Sequence, residues 1–401
     1  MPSKASLASR VLGALFSTPQ KKNNIPFSGR YYSSYMSLPG KAVWSGRNYG
    51  KFSDEGYIRN VIAHRSISMI ASGGAHVGWK LFRNNRSGRV EVKKHALLDI
   101  LHRPNPCMGG AEFLETIYAH RLISGNAYIH AVKNNNGVPI ELFALRPDRV
   151  SVIAGKGCVP DGYQYQVGDV VRKFKVDRIS GQSDILHIKK FHPLNDWYGL
   201  SSIEAAAYSI DQHNEAAAWN QALLQNGARP SGALIVKGAD GKDGGYLSEE
   251  QYLRVRSQFD DLNSGSSNAG RPLLLEGGLD WKEMSISPRD MDFINTKNSA
   301  ARDIALAFGV PPQLLGIPGD ATYNNMAEAR LALWEQTILP MVDNFTSALN
   351  NWLVHLYGKE FELSYDVDSI SALAPRREAA WNRAKDADFL SDEEKRIMVG
   401  L

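Results

Sequence analysis

Cysteine is nearly absent: Cys107 and Cys158 are the only two in 401 residues. Two thiols cannot staple a secreted fold, and their separation lacks metal-ligand spacing, so a reducing compartment suits the chain. Long apolar runs are missing as well. No segment approaches the roughly 20 consecutive apolar residues that cross a bilayer. The run Leu7 to Phe16 contains Ser9 and Arg10 and ends in Ser17-Thr18-Pro19-Gln20 without a small-residue cleavage pattern, which argues against a signal peptide. The expectation is assembly in the cytoplasm with no membrane partner. Charge of one sign is not in excess either. The 46 basic residues face 42 acidic ones for a net +4, which excludes a protein that wraps nucleic acid by bulk neutralisation and leaves only local or sparse DNA contact.

Catalytic signatures are also wanting. Gly265 to Gly270 has the glycine spacing of a phosphate loop, but Arg271 and Pro272 stand where Lys and Ser or Thr must follow, so the phosphate and magnesium ligands are missing. Ten histidines include no His-Glu-x-x-His pair and no Cys/His cluster, and neither a metal nor any other cofactor is called for. His187 and His192, near Asp184 and Asp196, read more simply as packing or turn residues than as acid–base groups. Asp290 with Asp292, and Asp366 with Asp368, have the look of two-metal nuclease carboxylates. The first pair precedes an apolar helical face and matches a helix dipole; the second ends an alternating strand. Zinc-finger spacing and a basic region running into a heptad zipper are both absent, so any DNA partner is read without regard to its sequence.

What is present is a globular composition, 43% hydrophobic, long enough for two or three packed regions. Charge is unevenly placed: residues 1–30 carry Lys4, Arg10, Lys21, Lys22 and Arg30 with no acid, whereas residues 360–401 hold ten acids against six bases. Residues 1–54 read as an extended basic arm, either a solvated tail or a tether, with aromatic anchors at Tyr31, Tyr32, Tyr35 and Trp44. Periodicity predicts a helix over 55–71 stopped by Gly73-Gly74, then a strand over 77–83. A helix through Phe113 to Leu122 and strands at 126–132, 142–145, 150–153, 163–167 and 185–188 complete a mixed α+β region. A single alanine-rich helix is predicted over 201–225. A compact insert over 230–287 follows, with strands at 233–236, 273–275 and 281–286 and a helix over 248–262 opened by the capping-box pair Ser248 and Gln251. A further helix, 291–308, stops at Gly309-Val310-Pro311-Pro312. The longest pattern runs through Leu331, Trp334, Ile338, Met341, Phe345, Leu349, Trp352 and Leu356, with a kink predicted at Pro340.

Several motifs, in order, resemble portal proteins of the HK97 type, most closely that of a gene transfer agent (GTA), a phage-derived particle. They are Arg103-Pro104-Asn105-Pro106, Ser124-Gly125-Asn126-Ala127-Tyr128, Tyr198-Gly199-Leu200-Ser201-Ser202-Ile203, Gln225 to Gly232, Leu275-Glu276-Gly277-Gly278 and Phe308 to Gly316. The resemblance implies an α+β portal fold and a structural, non-enzymatic subunit of a homo-oligomeric ring, expected to be a dodecamer around double-stranded DNA. It implies an arm (1–54), a mixed α/β wing (55–199), long stem helices (200–228 and 288–309), a small α/β clip (229–287), a tunnel loop (310–325), a kinked helix returning to the wing (326–369) and a short helical crown (370–401). Ile317, Asp320, Tyr323, Asn324 and Asn325 are the tunnel-loop candidates. Lys237, Lys242, Lys297 and Arg302 are candidate channel or rim cations. Leu331, Trp334, Phe345 and Trp352 are read as wing or interface anchors. The implied partners are a terminase motor during packaging, a head–tail adaptor at the clip and the major capsid protein around the wing. The implied destination is the portal vertex of the particle. A metal-dependent nuclease and a soluble adaptor that forms no channel are the competing readings.

Overall fold

The computed structural model describes residues 48–86, 88–155, 159–225, 232–236, 247–263, 279–283, 293–318 and 323–399. Outside them lie the aromatic anchors of the arm, Cys158, Lys237, Lys242, the glycine-rich stretch 265–270, the strand predicted at 273–275, Asp290, Asp292 and Asp320. The chain forms two compact units. One is built from residues up to Tyr208 together with those from Arg302 onward, and the other is Ser209–Ala301.

The first unit starts with a short helix, Tyr49–Lys51, continuing as a π-helix, Phe52–Ile58. The predicted arm therefore ends earlier than residue 54. Asn60 caps α1 (Val61–Ala75), its side chain accepting from the Ile62 and Ala63 amides at 3.1 and 3.0 Å, two of the donors a helix start leaves open. Gly73 and Gly74 do not stop this helix. A Cβ on Gly73 would stand 2.8 Å from Ile338 Cδ1, and one on Gly74 would stand 3.0 Å from both Tyr118 and Met341. These glycines are in the helix because other elements press on it. Then come β1 (Trp79–Asn85) and β2 (Gly88–Glu91), α2 (Ala96–His102) and α3 (Gly110–Ser124). The faces of α1 and α3 carrying Ala63, Ile67 and Ile70, and Phe113, Ile117 and Tyr118, are excluded from solvent, at about 25 cal/mol for each Å² of apolar surface removed from water.

Next are β3 (Asn126–Lys133), β4 (Pro139–Leu145), β5 (Val150–Ile153), β6 (Gly162–Val167), β7 (Val170–Lys175) and β8 (Ile185–Lys189). They form two antiparallel sheets, in the orders β4-β3-β8 and β5-β6-β7. β2 and β7 escape prediction because they are edge strands with mostly exposed side chains, so the alternation that marks a half-buried strand is weak.

The predicted helix 201–225 is two pieces. A capped turn, Ser202–Ala205, is separated by Ala206 from α4 (Ala207–Gln225). Within the second unit, β9 (Gly232–Val236) pairs antiparallel with β10 (Leu279–Glu283), in register from Gly232↔Glu283 to Val236↔Leu279. Between them in sequence is α5 (Glu249–Asn263). Its capping box is closed: the Ser248 amide donates to Gln251 Oε1 at 2.9 Å and the Gln251 amide to Ser248 Oγ at 3.3 Å.

The chain continues through α6 (Phe293–Phe308), α7 (Tyr323–Leu333), a π-helical stretch at Trp334–Ile338, α8 (Leu339–Trp352) and β11 (Phe361–Tyr365), ending in α9 (Ala374–Asp386) and α10 (Asp392–Met398). β11 joins β1 and β2 as an antiparallel sheet ordered β11-β1-β2. Pro340 is accommodated in the first turn of α8 directly after the π stretch. Proline cannot donate to the helical ladder and its ring crowds the carbonyl four residues back, and a widened turn is one way a helix absorbs such a residue. All described strand pairs are antiparallel and the helices stand in separate segments, an α+β arrangement.

Candidate functional site

Two regions of the first unit carry the motifs at 124–128 with 198–203 and at 308–316, whereas residues 226–231 and 275–278 of the other two glycine-rich motifs lie outside the described residues. The first is a junction where Ser124 to Tyr128 meets Tyr198 to Ile203. Gly125 ends α3 at φ +77°, and a Cβ there would stand 2.4 Å from the Gly199 carbonyl oxygen; a Cβ on Gly199 would stand 2.2 Å from the Gly125 oxygen. Only glycine permits both the left-handed turn and this backbone approach. Buried Asn126 completes the seam. Its Oδ1 accepts from the Gly199 amide at 2.7 Å and contacts His187 Nε2 at 2.9 Å, while its Nδ2 donates to the Ser124 carbonyl at 2.9 Å. The Lys190 amide donates to the Gly125 oxygen at 2.9 Å, and the Tyr198 hydroxyl accepts from the Val152 amide at 2.9 Å. Ser201 Oγ donates to the Ile123 carbonyl and accepts the Ile203 amide.

His187 is stacked on Tyr128 at 4.3 Å between ring centroids, and burial pushes its pKa down to about 3. His192 is half-buried and accepts the Leu194 amide at 3.0 Å. These are packing and turn roles. The motif at 103–106 is similarly architectural: Asn105 Nδ2 donates to the Leu142 carbonyl at 2.9 Å, and its Oδ1 accepts the Cys107 and Met108 amides.

The second region is the segment after α6. The Gly309 amide donates to the Leu306 carbonyl and the Val310 amide to the Ala305 carbonyl, each at 2.9 Å, with Gly309 at φ +70°. This paired closure satisfies the helix end. The chain then turns through a 3₁₀ stretch, Pro312–Leu315, and leaves it at Gly316, also at φ +70°. Two side chains tether the segment: Thr337 Oγ1 donates to the Gly309 carbonyl at 2.7 Å, and Arg302 donates to the Pro318 carbonyl at 2.6 Å. Leu314 lines a cavity of about 290 Å³ with Met326, Leu333 and Trp334, flanked by Arg65 and Arg330.

Of the tunnel-loop candidates, Ile317 is buried, 6% exposed. It anchors the segment and is not presented outward. Tyr323, Asn324 and Asn325 belong to the first turn of α7, so the loop is shorter than predicted, and Asn325 is exposed. Arg302 spends its guanidinium on Pro318. Lys297, in the second unit, is half-buried and helps to lower the pKa of His213, whose main cause is burial. Phe345 and Trp352 are core: Phe345 packs on Tyr118 and Trp79, and Trp352 Nε1 donates to the Ser183 carbonyl at 2.8 Å. Leu331 and Trp334 are half-exposed. Sequence reasoning missed the Thr337 and Arg302 tethers, because neither residue type nor spacing announces a side chain that bonds a backbone 16 or 28 residues away.

The paired aspartates at 366 and 368 are engaged elsewhere. Asp366 contacts Lys80 at 2.7 Å and accepts the Asp368 amide, while Asp368 pairs with Arg377 at 3.1 Å. Among the described residues no cluster of three His, Cys, Asp or Glu is disposed to hold a metal ion, and no helix is long and apolar enough to cross a membrane.

Comparison with known proteins gives a consistent result. Residues 62–400 match the phage portal protein family. The chain is 46% identical to a subunit in the neck of a native GTA particle computed with C12 symmetry, with a TM-score of 0.68 over 90% of this chain and 96% of that one. It is 24% identical to the portal protein of Enterobacteria phage HK97, over 75% of this chain and 69% of that protein. An HK97 family phage portal protein from Corynebacterium diphtheriae shares the fold at 14% identity, with a TM-score of 0.54 over 80% of this chain and 96% of that one. With its family-wide match and its fold in agreement, this chain belongs to the phage portal protein family, of the HK97 type.

Proposed function

We propose that the chain is one subunit of a twelve-membered ring at a capsid vertex, guiding double-stranded DNA without regard to sequence during packaging and ejection. The observation that carries this reading is the 46% identity, over 90% of this chain, to a subunit of a neck with C12 symmetry. In this reading 55–199 with 326–369 is the wing, 200–228 and 288–309 the stem, 229–287 the clip and 370–401 the crown. The clip meets a head–tail adaptor or the terminase motor, and the wing meets the major capsid protein. Made in the cytoplasm, the ring ends at the portal vertex of the particle.

Contact with the DNA is light. A sliding duplex is poorly served by strong phosphate contacts, and a ring repeats every exposed cation twelve times, so a net charge of +4 per chain suits passage better than grip. Asn325, with Tyr323 and Asn324 beside it, offers polar contacts at the edge of the 310–325 segment, and Lys237, Lys242 and Lys297 are the remaining candidate rim cations. A cysteine cross-linker tests this directly. In a Cys107→Ser, Cys158→Ser background, Asn325→Cys is expected to couple to DNA in filled particles with no sequence bias. Absence of coupling there, with intact filling, would remove the segment from the channel wall.

A further inference from the structure

A cleft of about 640 Å³ opens between the helical stretch 49–58, α1 and α3. Its floor is apolar, with Ile67, Ala119 and Ile123, and Ile58 at its mouth is 70% exposed. Its rim is acidic. Asp54 and Asp148 also line it but are paired, with Arg59 at 3.1 Å and Arg146 at 2.8 Å. Glu112 and Glu115 are exposed and have no ion-pair partner among the described residues. A cleft of this size accommodates a few side chains, and apolar floor with acidic rim calls for an occupant carrying an aromatic and cations.

The chain itself supplies one next door. Tyr49 lines the cleft, its hydroxyl hydrogen-bonded with His120 Nδ1 at 3.2 Å, and the described fold begins one residue earlier. Residues 1–47 contain seven Lys or Arg and no acid, and the stretch nearest the cleft reads Lys41-Ala42-Val43-Trp44-Ser45-Gly46-Arg47. Trp44 is four residues from Asn48, so its Cα lies within about 14 Å of that point. Ser45-Gly46 is a pair suited to reversing the chain. A segment tethered this closely is present at millimolar effective concentration.

We propose that residues 41–47 fold back into this cleft of the same subunit, Trp44 covering the apolar floor and Lys41 and Arg47 facing Glu115 and Glu112. The docked segment clamps the 49–58 stretch against α3 and sets where the basic arm leaves the subunit. The inference stands whether or not the ring reading holds, because every element in it belongs to one chain.

A photoreactive benzoylphenylalanine at position 44 of the full chain tests it, with isotopically light and heavy copies co-assembled into the same oligomers before irradiation. The expected product joins position 44 to a peptide within 49–71 or 112–123 of the same copy, so light and heavy peptides do not mix. Cross-links to the cleft of the other copy would overturn the proposal, as would cross-links only to surfaces away from it. Glu112→Lys with Glu115→Lys is expected to lower the yield about fivefold, the scale of two exposed ion pairs, and adding Lys41→Glu with Arg47→Glu is expected to restore it. An unchanged yield in the first variant would overturn the charge pairing.

Discussion

The junction at Gly125, Asn126 and Gly199 and the segment 309–318 are both glycine-punctuated, yet they are held in opposite ways. At the junction, two backbones approach so closely that a methyl group on either glycine would lie 2.2–2.4 Å from a carbonyl oxygen, and one asparagine satisfies partners on a strand, a loop and a helix end. The later segment is held by two side-chain tethers and buried Ile317, and a Cβ on Gly316 would meet nothing within 4 Å. Dense backbone contact makes a scaffold whose failure is global. Sparse tethering makes a segment that can be altered without unfolding its support.

The largest break in this comparison is Gly199→Ala. It places a methyl against backbone that cannot yield, and about 4 kcal/mol or more of stability is expected to be lost, seen as a collapse of the urea midpoint or of soluble yield. Asn126→Ala is expected to cost about 2–3 kcal/mol, since the buried Gly199 amide is left without its acceptor.

Acid probes the same asymmetry. Burial holds His187 at about 3 and His120 and His130 at about 4, below the ordinary 6.5. The unfolded chain therefore binds these protons first. Stability from the three is intact above about pH 6.5 and is lost progressively as pH falls toward 4 and below. Urea midpoints should accordingly hold between pH 8 and 7 and fall steeply by pH 4.5. The segment 309–325 contains no histidine, so hydrogen exchange should report the acid loss at the amides of Gly125 and Lys190.

Within the segment the two glycines separate. Gly309→Ala brings a methyl to 2.6 Å from Thr337 Oγ1 at positive φ, and about 2 kcal/mol is expected to be lost. Gly316→Ala, strained in backbone alone, should cost about 1 kcal/mol. Arg302→Ala is the smallest: less than about 1 kcal/mol globally, with faster exchange confined to Ile317 and its neighbours.

Much of the fold was legible because its signals are local. Helical period marked α3 and α6, and the Ser248 and Gln251 spacing marked a helix start that the structure closes with both bonds. Misreadings occurred where tertiary packing overrode local preference. Gly73-Gly74 looked like a stop but makes room for Ile338, Tyr118 and Met341. Ala206 interrupts a helix whose alanines favour continuity, because the turn before it is capped by Ser201 and bonded back to Ile123. The tunnel candidates were placed by resemblance alone, so the inward turn of Ile317 and the helical start at Tyr323 could not be foreseen from residue types.

The central claim is a closed ring around DNA, and native mass with single-particle imaging of the purified full chain tests it most directly. The account predicts a particle of about 530 kDa, twelve copies of 44.3 kDa, with a central hole wide enough for a duplex of roughly 20 Å. A chain that stays monomeric or dimeric under assembly conditions, or a closed oligomer without a duplex-wide hole, would contradict it.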